Sequence, residues 1–198
     1  MKKVINFGLA AFMLFAIGAC GGKEAEIKSV KIGTQTWMAE NLNDASKGGK
    51  CYEDKPENCE KYGRLYTWDE AMKACPSGWR LPSDEEWLTL VIFEGDMNMY
   101  KTMLKAKSGW NKIEDADGEY DMNGTDDFGF SALPGGSGNS NGDFGLVGYY
   151  GGWWSSDKGG SGRNGTYGQD IYYSDEFFDF FSTSKPNLYS VRCIKEAK

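Results

Sequence analysis

No histidine occurs among the 198 residues. Histidine is the commonest general base at neutral pH and a frequent metal ligand. Its absence excludes Ser-His-Asp and Cys-His catalysis and the usual zinc and copper sites. An enzyme built on this chain would have to use carboxylates, lysine, tyrosine or cysteine. Cysteine is sparse as well, and none of the five forms a Cys-x-x-Cys pair. No apolar run reaches the roughly 20 residues that a membrane-spanning helix needs. No internal repeat and no linker divides the chain.

What is present begins with an ordered N-terminus. Lys2 and Lys3 precede an apolar stretch from Val4 to Ile17, and Ile17-Gly18-Ala19-Cys20 closes it. Positive residues, a short apolar run and small residues make a secretory signal. The cysteine directly after them resembles the lipobox of bacterial lipoproteins. That resemblance implies a signal peptide over 1–19, cleavage before Cys20, and acylation of Cys20, palmitate included. Residues 20–27 then form the lipidated cysteine and a tether. Several acyl chains hold a protein firmly to a membrane. The expectation is a protein lipid-anchored to the cell envelope, at the outer membrane. The acidic residues after Cys20 resemble surface-export signals, so the domain either faces the periplasm or is displayed on the cell surface.

Without Lys2 and Lys3 the chain carries 20 basic and 29 acidic side chains, a formal charge of −9. That balance argues against nucleic acid as a partner. Residues 28–198 make one domain of ordinary size, and an aromatic content of 15 % favours folding over disorder. Outside the cytoplasm, disulfides persist. Cys51, Cys59, Cys75 and Cys193 allow three pairings, with a tetrathiolate metal site as the rival. Cys51 and Cys59 suit a local staple. Cys75 and Cys193 would then join a helix end to the last strand.

Val30 and Ile32 alternate with polar residues, and Gly33-Thr34 supplies a turn, so 29–38 reads as a hairpin. Residues 45–60 read as a polar loop held by its own bridge, and 64–66 as a short strand. Thr67-x-x-Glu70 and Ser83-x-x-Glu86 fit the capping box at helix starts. The first helix runs to about Ala74. The second places Trp87, Leu88, Val91 and Ile92 at helical spacing. A third, from about Met97 to Ala106, points Met99, Met103 and Leu104 inward. After Ser108 the texture changes: residues 129–168 hold 14 glycines and residues 144–181 hold 12 aromatics. Short strands are expected at 128–133, 146–150, 153–155, 169–173 and 189–194. The fold class is therefore α+β, with helices first and an irregular sheet second.

Six segments together resemble the Fibrobacter succinogenes major paralogous domain, over about residues 28–196. They are Val30 to Leu42, Lys61 to Trp68, Cys75 to Trp87, Gly124 to Gly136, Trp153-Trp154-Ser155-Ser156 and Ser190-Val191-Arg192-Cys193. Arg80-Leu81-Pro82-Ser83-Asp84-Glu85-Glu86-Trp87 also resembles a segment of formylglycine-generating, sulfatase-modifying enzymes. Those families share a C-type-lectin-like fold: two to three helices, a small twisted antiparallel sheet and long irregular loops rich in glycine and aromatics. Pro82 sets an extended entry, Ser83 caps the helix and Trp87 reaches the core, so this motif marks the fold and not a chemistry.

Three chemistries were open. A formylglycine-type enzyme needs a reactive cysteine pair that binds copper. Neither Cys75 nor Cys193 is placed as one, and the expectation is no enzyme. Asp115, Asp117, Asp121, Asn123 and Asp126 gather in a glycine-containing loop, the kind of oxygen-rich segment that takes calcium. No closing glutamate stands at the twelfth position, so the expectation there is at most a structural calcium. The aromatics are too many for one small core. Trp153, Trp154, Tyr172 and Tyr173 are the candidate ligand contacts; adjacent residues of a strand face opposite ways, which puts one tryptophan in the core. The leading expectation is a lipid-anchored binding module that recognises carbohydrate or a surface protein through loops 135–187. The alternative is a structural envelope lipoprotein without a soluble ligand.

Overall fold

Alternation at Val30 and Ile32 and a left-handed Gly33 (φ 58°) produce the expected hairpin of β1 (Ser29–Ile32) and β2 (Gln35–Met38). The computed structural model describes residues 27–92, 102–158, 165–172 and 178–196. Cys51 and Cys59 are bridged, as are Cys75 and Cys193. Between 45 and 60 the loop expectation is corrected. Helix α1 (Pro56–Tyr62) forms there and buries Cys59 and Tyr62, three residues apart. Pro56 opens it at the position where a missing N–H costs nothing, and Gly63 at φ 78° ends it. Its charged outer face hid it.

Strand β3 (Leu65–Tyr66) leads into α2 (Trp68–Ala74). The Thr67 box closes reciprocally: the Thr67 N–H donates to Glu70 Oε2 at 2.8 Å and the Glu70 N–H to Thr67 Oγ1 at 3.4 Å. Strand β4 (Trp79–Arg80) precedes α3 (Asp84–Ile92). Its Ser83–Glu86 box closes likewise, at 2.9 and 3.2 Å. The buried stripe of α3 is Trp87, Leu90 and Val91. Leu88 and Ile92, expected inside, are 43 % and 51 % exposed. Each lies about 100° around the helix from a buried neighbour, just past the edge of the stripe. Half of the third expected helix, Met99 included, lies outside the described residues. Its last turn is present at 102–104, with Leu104 fully buried and Met103 half-buried.

Beyond it the chain forms the hairpins β5 (Ile113–Asp115) with β6 (Gly118–Tyr120) and β7 (Ser137–Gly138) with β8 (Phe144–Gly145). Then come β9 (Tyr150–Lys158), β10 (Gly165–Tyr172), β11 (Phe178–Ser184), β12 (Tyr189–Ser190) and β13 (Ile194–Lys195). Two larger sheets result, in the orders β1-β2-β13-β4 and β11-β10-β9-β12-β3. Residues 128–133 and 146–150, read as strands, are turns and irregular chain up to Tyr150. Ser131 and Leu146 there adopt left-handed backbone, which a regular strand cannot include. The class is mixed helix and sheet, as expected.

Among the described residues two larger hydrophobic cores and a small third one, of Tyr52, Leu65 and Leu188, fill the domain. One gathers Trp37, Trp87, Leu90, Leu104, Trp110, Phe130, Trp153 and Ile171. The other gathers Met38, Tyr66, Trp68, Ala71, Leu81, Trp154, Val191 and Cys193. Strands β2 and β9 each send successive residues into different cores, so both of their faces are covered.

Candidate functional site

The segments that carry the family resemblance meet inside the protein. Asn41, just past β2, and Arg192, between β12 and β13, are both buried. Asn41 Oδ1 accepts from Trp153 Nε1 at 2.8 Å and from Arg192 Nε and Nη2 at 3.0 and 2.7 Å. Asn41 Nδ2 donates to the Tyr62 carbonyl at 2.9 Å and to Ser190 Oγ at 3.4 Å. One amide thereby ties together β2, α1, β9 and β12.

Arg192 has no accessible surface and is held by oxygens that carry no full charge. Nη1 donates to the carbonyls of Met38 (3.2 Å) and Phe130, and Nη2 also to Ser131 at 3.4 Å. The guanidinium lies 4.4 Å from the centre of the Phe130 ring. Burial pulls its pKa down to about 9, opposed by the charges of Asp126 and Glu40, so it stays protonated at neutral pH. Its contacts to Phe130 and Ser131 fasten the irregular 126–131 turn. There the Asp126 carboxylate accepts from the Ser131 N–H at 2.7 Å and from its hydroxyl. Asn41 and Arg192 were not read as special from sequence. The available signal was Arg192, a charge between Val191 and Cys193; Asn41, between Glu40 and Leu42, gave none.

Trp153 and Trp154 are not a surface platform. Both are fully buried, where one of the two was expected in the core and the other as a ligand contact. Trp153 packs 6.4 Å from Trp87, and Trp154 donates to the Tyr66 carbonyl at 2.6 Å while its ring meets Tyr189 edge-on at 4.9 Å. Glycine makes this density possible. A Cβ on Gly168, opposite Trp154 in register, would sit 2.4 Å from the Phe181 ring. Tyr172 lies in β10 opposite Tyr150. Its side chain, and the whole of Tyr173, lie outside the described residues.

The five residues of the acidic loop do not converge either. Asp115 caps the β5–β6 turn by accepting from the Asp117 N–H at 2.8 Å. Asp121 accepts from the backbone and side chain of Asn123, whose Oδ1 accepts from the Trp110 N–H at 3.0 Å. Asp126 serves Ser131. Asp115, Asp121 and Asp126 spend oxygens on their own turns, and Asn123 spends its oxygen on Trp110. Among the described residues no three acidic or cysteine side chains come together as metal ligands.

A second acidic meeting was not foreseen. At the start of α3, Asp157 Oδ2 accepts from the Asp84 N–H at 2.7 Å, and the Asp84 Oδ1 atom is buried without a hydrogen-bond partner. Burial raises the Asp84 carboxyl above its usual range; a bond with Ser155 opposes this and the Asp157 charge adds to it. Asp157 serves the helix end, and the Asp84 carboxyl bonds Ser155.

On the surface, a cleft of about 210 Å³ opens beside Asn41, walled by Glu40, Asn43, Cys59, Lys61, Tyr62 and Leu133. It is smaller than the roughly 300–1,000 Å³ of small-molecule sites. The 137–149 segment is clamped nearby in sequence. Gly138 and Leu188 exchange backbone bonds, Gly136 donates to Tyr150, and Gly148 to Pro134. Within it, Asn139 Oδ1 accepts from the N–H groups of Asn141 and Asp143. Asn141, Asp143 and Leu146 are exposed, the last at φ 65°.

No helix among the described residues is long and apolar enough to cross a membrane. Neither a curated protein nor a solved structure matches the chain. One family model does match, over residues 30–195: the Fibrobacter succinogenes major domain. That span includes both disulfides, both larger cores and the Asn41–Arg192 knot, and the chain belongs to the Fibrobacter succinogenes major domain family.

Proposed function

We propose that this chain is a lipid-anchored extracytoplasmic binding module, attached through Cys20 at the outer membrane, that recognises carbohydrate or a surface protein. The reading takes the fold as C-type-lectin-like, the fold shared with formylglycine-generating enzymes, in which loops are displayed on a rigid base. One observation carries it. The large side chains Trp37, Trp87, Trp153 and Arg192 of the family segments are consumed by the interior, while the 137–149 segment is fastened to that interior and turns Asn141, Asp143 and Leu146 outward. Loops on a fixed scaffold are where recognition usually sits. Amide and carboxylate groups beside an apolar side chain suit the edge and face of a sugar. The contact region moves accordingly from Trp153 and Trp154 to this part of loops 135–187. Catalysis, nucleic acid and a resident cofactor have no part in the reading.

The test is retention of the purified full chain on insoluble polysaccharides and on intact envelope fragments. Retention that falls at least about tenfold in Asn141→Ala or Leu146→Ala, with unfolding midpoints unchanged, supports the module. Retention on neither material overturns it. The burial of Trp153 and Trp154 favours a second reading, a structural envelope lipoprotein without a soluble ligand. Under that reading every loop substitution changes stability or nothing.

A further inference from the structure

The two disulfides stand in different chemical settings. Cys193 is fully buried in a hydrophobic core, and Cys75 packs against it. Cys59 is buried too, but Cys51 is partly exposed, and Cys59 forms part of the cleft wall. Above this pair sits a cation. Arg64 Nη1 lies 3.5 Å from Cys59 Sγ and 3.8 Å from Cys51 Sγ. The guanidinium is held in place by two carbonyls, Gly48 through Nε at 3.0 Å and Gly49 through Nη2 at 2.8 Å. Among the described residues it forms no ion pair with a carboxylate. Its charge also reaches the Asp44 and Glu70 carboxylates, while Nη1 is the nitrogen turned to the two sulfurs.

A neighbouring guanidinium stabilises a thiolate, and a disulfide opens faster when the leaving sulfur is the more stable thiolate. We propose that Cys51–Cys59 is an exchangeable disulfide, opened by a thiolate that attacks Cys51 while Cys59 departs as the thiolate beside Arg64. In the first step the incoming sulfur bonds to Cys51 Sγ, the Cys51–Cys59 bond breaks, and its electron pair stays on Cys59. A second thiolate then attacks the mixed disulfide, releases Cys51 and leaves as the oxidised disulfide; the thiol loses the two electrons that the protein gains. The co-reactant is a thiol, whether a small molecule or a protein cysteine. The fold tolerates the opening, because the bridge spans 8 residues while the core bridge spans 118 and stays closed. The cleft wall at Cys59 and Tyr62 is the part that loosens.

The test holds the detergent-solubilised full chain in glutathione buffers of graded ratio, alkylates with iodoacetamide and maps the cysteines by peptide mass. A parallel arm uses a reduced protein dithiol. Cys51 and Cys59 are expected to open at ratios at least about tenfold less reducing than Cys75 and Cys193. A glutathione adduct at Cys51 assigns the small-thiol source, and faster opening by the dithiol protein the other. Arg64→Gln should slow opening about tenfold, with partial recovery in Arg64→Lys. In Cys51→Ser, which leaves Arg64 in place, Cys59 should alkylate with a midpoint below the ordinary thiol value of about 8.5. Bridges that open together, or a Cys59 midpoint at or above that value, overturn the proposal.

Discussion

Trp153 and Trp154 are neighbours in β9, fully buried, and belong to different hydrophobic cores. Their indole N–H groups leave the sheet on opposite sides, one to the Asn41 side chain and the other to the Tyr66 carbonyl. A tryptophan pair that looked like a sugar platform is the seam between the two cores.

Removing either ring should therefore cost stability. Trp153→Ala and Trp154→Ala are each expected to destabilise the domain by about 3–5 kcal/mol, the usual cost of a large-to-small change in a core. Urea unfolding measures this. A cost below about 1 kcal/mol for either would mean that the ring is not packed as described.

Asn41 serves a buried cation, and its substitutions should separate accordingly. Asn41→Leu deprives Arg192 and Trp153 of their shared acceptor and should cost about 3 kcal/mol or more. Asn41→Asp keeps the acceptor and supplies the missing negative charge. It should be the less harmful of the two, and equal unfolding midpoints would contradict this account.

Acid should weaken the domain through Glu86. Burial raises its carboxyl, but the Arg80 hydrogen bonds and the Ser83 N–H together bring it below the ordinary 4.5. A depressed carboxyl contributes stability above its unfolded value and loses it as pH falls through the folded one. That loss belongs below about pH 4.5, and Glu86→Gln should flatten it in urea midpoints taken from pH 3 to 7. Asp84 has the opposite sign. Its raised carboxyl favours the protonated fold, so its contribution falls as pH rises from 3.8 through the folded value. Asp84→Asn should leave the domain as stable or more stable at pH 7.

The two bridges should also differ in stabilisation. In the chain-entropy model the 118-residue link is worth about 5 kcal/mol and the 8-residue link about half that. Cys193→Ser should lower the melting temperature far more than Cys51→Ser. Equal shifts would show that strain or denatured-state structure governs.

Local chemistry carried a good part of the fold in the sequence itself. The 29–38 hairpin, both capping boxes, the end of α2 before Pro76 and the disulfide pairing rest on contacts between near neighbours or on a count of four cysteines. Those readings hold in the structure. The same local view missed α1, whose polar outer face outweighed two buried positions. It also set the α3 stripe slightly off, because the pattern at Leu88 and Ile92 gives no sign of where the core ends.

The candidate site was the least legible part. Abundant aromatics and glycines read as loops with spare rings, when a second core on the far face of β9 uses both. Acidic residues in a row read as a ligand set, when Asp115, Asp121 and Asp126 each serve a separate turn. Whether an exposed-looking side chain is a contact or a core residue depends on what covers the other face of its strand. Chain segments more than 100 residues apart provide that cover here, as Asn41 does for Trp153 and Arg192. The sequence by itself determined the caps, turns and bridges. Only tertiary structure decided which polar groups meet, because those meetings are set by packing at long range and leave no periodic trace in the chain.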